Sequence, residues 1–167
     1  PSVSNLDNKK FLPLFNFETL SDEEEISDFS ISEAITFISN KLEIKKVIHL
    51  SSEYVYGGGF KIYQDNDKPN PSTNYGLIKS IIENKIKNNQ EFSSVILRLP
   101  IIIDGEFFNT FKENDNVNCD FQFRSSLSRL QFSKLVNYFL SNFQPGIINV
   151  ANNFLDFKPF IYKKLAI

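Results

Sequence analysis

A tyrosine and a lysine four positions apart, Tyr75 and Lys79 in "NYGLIKS", are the pair in this chain best suited to chemistry. On a helix, positions i and i+4 share a face. An ammonium one turn from a phenol favours the phenolate and lowers the phenol's pKa. Such a tyrosine can give or take a proton near neutral pH. Upstream, the stretch "SSEYVYGGGF" over 51–60 sets two serines, two tyrosines and three glycines after the apolar run "KKVIHL". A hydroxyl there, Ser52 foremost, can hydrogen-bond the oxygen that Tyr75 protonates and stabilise its developing charge. Together Ser52, Tyr75 and Lys79 suit proton transfer at a carbinol or carbonyl oxygen while a hydride moves at carbon. No side chain supplies a hydride, so this chemistry requires a redox cofactor.

These residues need elements to hold them. The stretch "KKVIHLS", 45–51, predicts a short strand buried on both faces, as in a parallel sheet. A glycine turn and a polar loop over 57–73, with Pro69 and Pro71, lead into a predicted helix from Ser72 to about Asn88, capped by Ser72 or Thr73. Ile31, Ala34, Ile35, Ile38 and Leu42 have the spacing of an earlier amphipathic helix over 30–42. "SSVILRLPIII", 93–103, predicts a second buried strand ending near Pro100, followed by a helix over 128–142 and a third strand over 146–152. Pro13 in "FLPLFNF", 11–17, limits that run to an edge strand or packed loop. Residues 1–10 read as loop, the acids of 21–25 as a helix start capped by Ser21, and 154–167 as a terminal helix broken by Pro159. This alternation predicts an α/β protein with a parallel sheet flanked by helices. In such open sheets ligands bind beyond the carboxyl ends of the strands, where Ser51 and Ser52 stand.

Composition narrows the function classes. A chain of 167 residues, 41% hydrophobic, can bury the core of one domain. A net charge of −2 without a basic stripe argues against a nucleic-acid partner. No apolar run is long enough to span a bilayer, so no membrane partner is expected. Cys119 is the single cysteine, which leaves no internal disulfide or cysteine-based metal site and suits a reducing cytoplasm. His49, the single histidine, falls inside the buried strand and is expected to be a hydrogen-bonded core residue. Arg98 is expected to pair with a carboxylate. Arg124 and Arg129 flank a serine-rich stretch and read either as surface charge or as forks for a diphosphate. "FFNTF" and "FQF" read as core or lid packing. The chain contains no Met and opens on Pro1 within a polar stretch, so it is expected to be a piece of a longer protein.

In combination these stretches resemble the extended short-chain dehydrogenase/reductase family of nucleotide-sugar epimerases, dehydratases and reductases, and within it the dTDP-4-dehydrorhamnose reductase type. "VIHLSSEYVYGG" resembles the strand that ends in Ser-Ser/Thr-x-x-Val-Tyr. "YQDNDKPNPSTNYGLIKSIIEN" resembles the acidic, proline-rich loop before Tyr-Gly-x-x-Lys, with a Glu four residues on, here Glu83. "VILRLPIIIDGE" resembles the following strand, and "RLQFSKLVNYFLSN" with "PGIINVAN" the late helix and strand. The resemblance covers roughly 28–152 and implies a Rossmann-like fold. It implies that Ser52 binds the reacting oxygen, that Tyr75 is the general acid/base, and that Lys79 also holds the nicotinamide ribose of NAD or NADP. Ser51, Leu99, Pro100 and Ile101 would border the cofactor. Ser52, Glu53, Tyr54, Arg124 and Arg129, with the short segment 104–128, would face a nucleotide sugar.

The family's Gly-x-x-Gly-x-x-Gly fingerprint, which brings backbone against the pyrophosphate, does not occur here. Gly57, Gly58 and Gly59 follow a strand but open no helix, and read as turn glycines. The resemblance therefore implies the C-terminal catalytic part of an enzyme whose N-terminal βαβ units are absent, with a homodimer as one way to complete the cofactor site. The alternatives are a non-catalytic binding or regulatory subunit of the same fold, as with the regulatory subunit of methionine adenosyltransferase, or an inactive fragment. Reduction, epimerisation and dehydration all remain open at this level.

Overall fold

The computed structural model describes residues 11–14, 28–58, 61–103, 123–152 and 156–157. Its elements run β1 (Phe11–Leu14), α1 (Asp28–Lys41), β2 (Lys46–Ser52), a 3₁₀ turn (Glu53–Val55), α2 (Asn74–Lys87), β3 (Ser93–Leu99) and β4 (Ile101–Ile103). They continue with β5 (Phe123–Arg124), β6 (Ser126–Ser128), α3 (Arg129–Ser141), β7 (Gly146–Asn149) and β8 (Asp156–Phe157). Contacts gather the chain into two compact units, 1–98 with 139–149, and 99–138 with 150–167.

The first unit is built on a four-stranded sheet in the order β1-β2-β3-β7. β1 pairs with β2 and β3 with β7, both in parallel, with Pro13 opposite Ile48 and Arg98 opposite Asn149. This is the α/β, Rossmann-like arrangement expected from the alternation of elements. Pro13 sits in an edge strand of this sheet, where its missing N–H leaves no central ladder broken. Ile35 of α1, Ile82 and Ile86 of α2, Val47 of β2 and Ile96 of β3 form one core with Ile44 and Phe92. The two helices therefore cover one face of the sheet. Burial at about 25 cal/mol per Å² of apolar surface makes this cluster the main stabilising contact of the unit. α1 ends in a tight left-handed cap at Glu43 (φ 53°), where the N–H of Ile44 donates to the Ser39 carbonyl at 2.8 Å and turns the chain directly into β2.

In the second unit β4 pairs in parallel with β6, and β5 pairs antiparallel with β8. Pro100 separates β3 from β4, because it offers no N–H to continue the ladder. α3 opens on a reciprocal cap: the Gln131 N–H donates to Ser128 Oγ at 3.3 Å, and the Ser128 N–H donates to Gln131 Oε1 at 2.8 Å. The expected terminal helix over 154–167 gives way at Asp156–Phe157 to the strand β8. The rest of that tail lies outside the described residues. So do residues 1–10, the acidic run at 21–25, Gly59, Cys119, "FFNTF", and 104–122 of the expected substrate-side segment.

Candidate active site

The sequence puts its hydroxyls at the end of β2, where one reaches Glu83 of α2 and the other caps the turn that follows. Alternation along β2 sends Val47, His49 and Ser51 to the helix-covered face, with Val47 in the core and Ser51 bonded to α2. Ser52 ends the strand and caps the 3₁₀ turn, its Oγ accepting the Tyr54 N–H at 3.3 Å. That turn packs on the first turn of α2. A side-chain carbon at Gly76 would lie 1.9 Å from the Tyr54 carbonyl oxygen, so only glycine allows the approach. Thr73 is the helix cap, with Oγ1 accepting the Gly76 N–H at 3.1 Å.

On α2, Gly76, Lys79, Ile82, Glu83 and Ile86 form the buried stripe. Lys79 is 4% exposed, and its Nζ stands 5.4 Å from the centre of the Tyr75 ring. Tyr75 is half-buried and meets Tyr54 edge to face, ring centres 5.8 Å apart. The expected shared face of Tyr75 and Lys79 is thus present, and the 3₁₀ turn carrying Ser52, Glu53 and Tyr54 lies beside it.

Behind the pair lies a buried polar network. Arg98 Nε donates to both oxygens of Glu83 at 3.0 and 3.2 Å, and Nη2 donates to Oε2 at 2.7 Å. Ser51 Oγ donates to Glu83 Oε1 at 2.5 Å. Arg98 Nη1 bonds the Tyr56 hydroxyl, which is also 3.0 Å from Asn149 Oδ1. The ion pair is buried at both ends, so removing one partner would strand a charge and cost about 3–5 kcal/mol. Burial works against the Arg98 cation, but its bonds to Glu83 and that carboxylate's charge outweigh it, so its pKa stands above the usual arginine value. The expected carboxylate partner of Arg98 is therefore Glu83.

The polar loop after β2 is tied down by this network. Tyr56 stacks on Tyr63 with ring centres 4.0 Å apart, and Tyr63 donates to the Gly58 carbonyl at 2.9 Å. The Asn149 N–H donates to Asp65 at 2.6 Å. Gly58 takes a positive φ of 79°, and Gly57 lies too close to the Asn70 carbonyl for a side chain. Neither lies in a helix. Lys61 and Asp67 pair at 2.7 Å on the surface. The hydrogen bond to Lys61 holds the Asp67 carboxyl below its ordinary range.

His49 departs from expectation in one respect. It is fully buried in the core, but among the described residues neither ring nitrogen has a hydrogen-bond partner. Burial, aided by the charge of Lys79, lowers its pKa to about 3, so it is neutral at physiological pH.

The other expected site residues fall in the second unit. Leu99 and Pro100 are buried, Ile101 is half-buried at the start of β4, and Arg129 is exposed at the start of α3. The backbone of Arg124 lies in β5. A cleft of about 510 Å³ opens at the starts of β3 and β7, lined in part by Lys87, Phe92 and Ile147, and shares no residue with Ser52, Tyr75 and Lys79. Among the described residues no three His, Cys, Asp or Glu side chains cluster to hold a metal, and no helix is long and apolar enough to cross a membrane.

Sequence reasoning missed Tyr56, Asn149 and Gly76 as parts of this site. The glycine directly after Tyr75 was the one visible signal, since glycine in a helix's first turn suggests a close neighbour.

Solved structures share this fold. The NAD complex of WbmG from Bordetella bronchiseptica superposes with a TM-score of 0.70 at 15% identity, over 89% of this chain and 53% of that one. A hypothetical dTDP-4-dehydrorhamnose reductase from Sulfolobus tokodaii gives 0.67 at 24% identity, over 81% and 50%. UDP-glucuronic acid 4-epimerase from Bacillus cereus, in complex with UDP-glucuronic acid and NAD, gives 0.67 at 18%, over 83% and 50%. This chain thus spans about half the length of these proteins. No curated protein matches it. The family model described as the RmlD substrate binding domain matches residues 1–117, which takes in β1 to α2, the Tyr75–Lys79 pair and the Glu83–Arg98 network. With its Rossmann-like sheet and these residues in place, the chain belongs to the family described as the RmlD substrate binding domain.

Proposed function

We propose that this chain carries the proton-transfer part of an NAD(P)-dependent reductase, epimerase or dehydratase acting on a nucleotide sugar. One observation carries the reading: a buried lysine one turn along α2 from a half-buried tyrosine, beside a strand end that presents Ser52. In this reading Tyr75 moves the proton at the sugar oxygen, Lys79 favours its phenolate form, and Ser52 donates to the same oxygen. NAD(P), when bound, supplies or accepts the hydride. The fit to that group is partial. Lys79, buried beside Tyr75, suits its nicotinamide-ribose end, while the described residues include no glycine-rich turn opening a helix for its pyrophosphate.

The test follows NADH and NADPH oxidation by the intact chain with dTDP- and UDP-linked keto sugars, alongside cofactor binding by calorimetry. Tyr75→Phe and Lys79→Met should each lower turnover by about 10²–10⁴-fold, the range for a positioned acid/base. Absence of cofactor binding at millimolar concentration would sink the reading for this chain acting alone. The second reading, a nucleotide-sugar-binding module without catalysis, is favoured by the family's description as a substrate-binding domain and by the half-length span. Tight sugar-nucleotide binding without cofactor binding would select it.

A further inference from the structure

Glu83 stands one turn beyond Lys79 and two turns beyond Tyr75 on α2. A carboxylate at i+4 from a lysine is placed to pair with it. Here Arg98 occupies that carboxylate through three contacts of 2.7–3.2 Å, and Ser51 adds a fourth at 2.5 Å. The guanidinium is anchored on its other side by the Tyr56 hydroxyl and, at 3.4 Å, by the Asp67 carbonyl. The geometry points to a role for Arg98 beyond joining β3 to α2: by taking up the charge of Glu83 it keeps a bare carboxylate away from Lys79, and so preserves the positive field that Lys79 exerts at Tyr75. Arg98 and Glu83 are positioning residues in this sense, acting on the field at Tyr75 without touching the reacting atoms. The inference rests on the proposed reading of Tyr75 and Lys79 as an acid–base pair.

Two properties of the cluster carry it. Lys79, Glu83 and Arg98 are all at most 4% exposed, so solvent screens their fields weakly and a bare carboxylate would act at longer range. The guanidinium also stays charged throughout the accessible pH range and covers both carboxylate oxygens at once, which an ammonium does not. His49 already feels the charge of Lys79, which adds to burial in keeping it neutral. Among the described residues, the titratable groups set around this stretch include Tyr54 on the 3₁₀ turn, Tyr56 at the guanidinium, and Asp67, whose carboxyl is held below its ordinary range first by the hydrogen bond to Lys61 and in part by the charge of Arg98. In α1, the one charged side chain over 35–41 is Lys41, which lies over the Phe37 ring.

The test is the ultraviolet titration of the Tyr75 phenol, read as the intact chain minus its Tyr75→Phe variant. Eight residues of helix place Glu83 roughly 12 Å along the axis from Tyr75. At an effective dielectric of about 20, an uncovered charge there changes the phenol's ionisation constant roughly tenfold. Arg98→Met, which leaves Glu83 bare, should raise the Tyr75 pKa by about one. Glu83→Gln, which leaves the Arg98 cation uncovered, should lower it by about as much. The double variant E83Q/R98M should return close to the parent. Because R98M strands a buried carboxylate, circular dichroism checks its fold, and the E83Q and double-variant pair carries the comparison if R98M is unfolded. Shifts of opposite sign that cancel in the double variant establish the coupling. Shifts of the same sign, as loosening of α2 would produce, or no shift in any folded variant, overturn it. The titration needs neither turnover nor cofactor. Cancelling shifts with full activity in Tyr75→Phe would therefore remove the functional reading and leave the coupling standing.

Discussion

His49 makes the stability of this chain depend on pH between about 7 and 5, above the range where ordinary carboxylates mainly titrate. It is the only histidine among the 167 residues. Its imidazole is fully buried, with no hydrogen-bond partner among the described residues, and its pKa falls from 6.5 to about 3 in the fold, first from burial and second from the charge of Lys79. The unfolded chain therefore binds a proton below pH 6.5 that the folded chain refuses, and stability falls as pH falls. The loss begins near pH 6.5 and runs on to about pH 3. Below 6.5 the slope approaches about 1.4 kcal/mol per pH unit. Integrated from pH 7 to pH 5, one such group removes about 2 kcal/mol. That is a large share of the ~5–15 kcal/mol typical of a folded domain. Ordinary carboxylates titrate mainly below this interval, so His49 dominates the change. Urea unfolding followed by circular dichroism at pH 7, 6 and 5 measures it directly. His49→Leu, similar in volume and without titratable nitrogens, should flatten the profile over the same range. A parent chain losing less than about 0.5 kcal/mol, or a leucine variant keeping the full loss, would refute the account of a neutral, desolvated imidazole.

Two further outcomes test the packing of the site. Gly76→Ala should destabilise the chain by about 1–3 kcal/mol despite alanine's better helix propensity, because its methyl meets the Tyr54 carbonyl. Near-ultraviolet circular dichroism should report the loosened Tyr54–Tyr75 contact, and an unchanged spectrum would argue against the close approach. Thr73→Ala should lower stability by about 1 kcal/mol through loss of the α2 cap, while Thr73→Ser keeps it, as thermal unfolding of the pair would show.

Much of the first unit was legible because its signals are local. Apolar spacing at Ile31, Ala34, Ile35 and Ile38 anticipated α1, now Asp28–Lys41, and the run through Val47 and Ile48 anticipated β2. Tyr75 and Lys79 could be placed on one helix face from their spacing alone. The predicted strand over 146–152 is shorter, ending at Asn149, whose side chain turns to Tyr56 and the Tyr63 carbonyl. What escaped the sequence depends on partners far along the chain. The pairing of Ile101–Ile103 with Ser126–Ser128 is one case, and the ties from Asn149 to a loop more than 80 residues earlier are another. The Arg98 partner could be foreseen as a carboxylate but not chosen, since that choice needs β3 and α2 stacked. The bare nitrogens of His49 were hidden for the same reason: a strand position predicts burial, but not what the neighbouring elements offer the ring.

The order of residue types along α2 also accounts for how one helix serves both packing and chemistry. Its buried stripe interleaves the polar Lys79 and Glu83 with Ile82 and Ile86, which reach the core. The apolar positions anchor the helix by burial, which is non-directional and tolerates small shifts. The polar positions do not tolerate them, because the fork of Arg98 on Glu83 holds only in one register. The start of the helix adds a third constraint, Gly76 against the Tyr54 backbone, beside Ser52. A small rotation of α2 would thus leave the core nearly intact while breaking the Glu83 fork and moving Tyr75 off the strand end. Small changes at Gly76 or Arg98 should therefore reach the tyrosine well before they unfold the sheet, and that separation is what makes the titration of Tyr75 the most informative reporter in this chain.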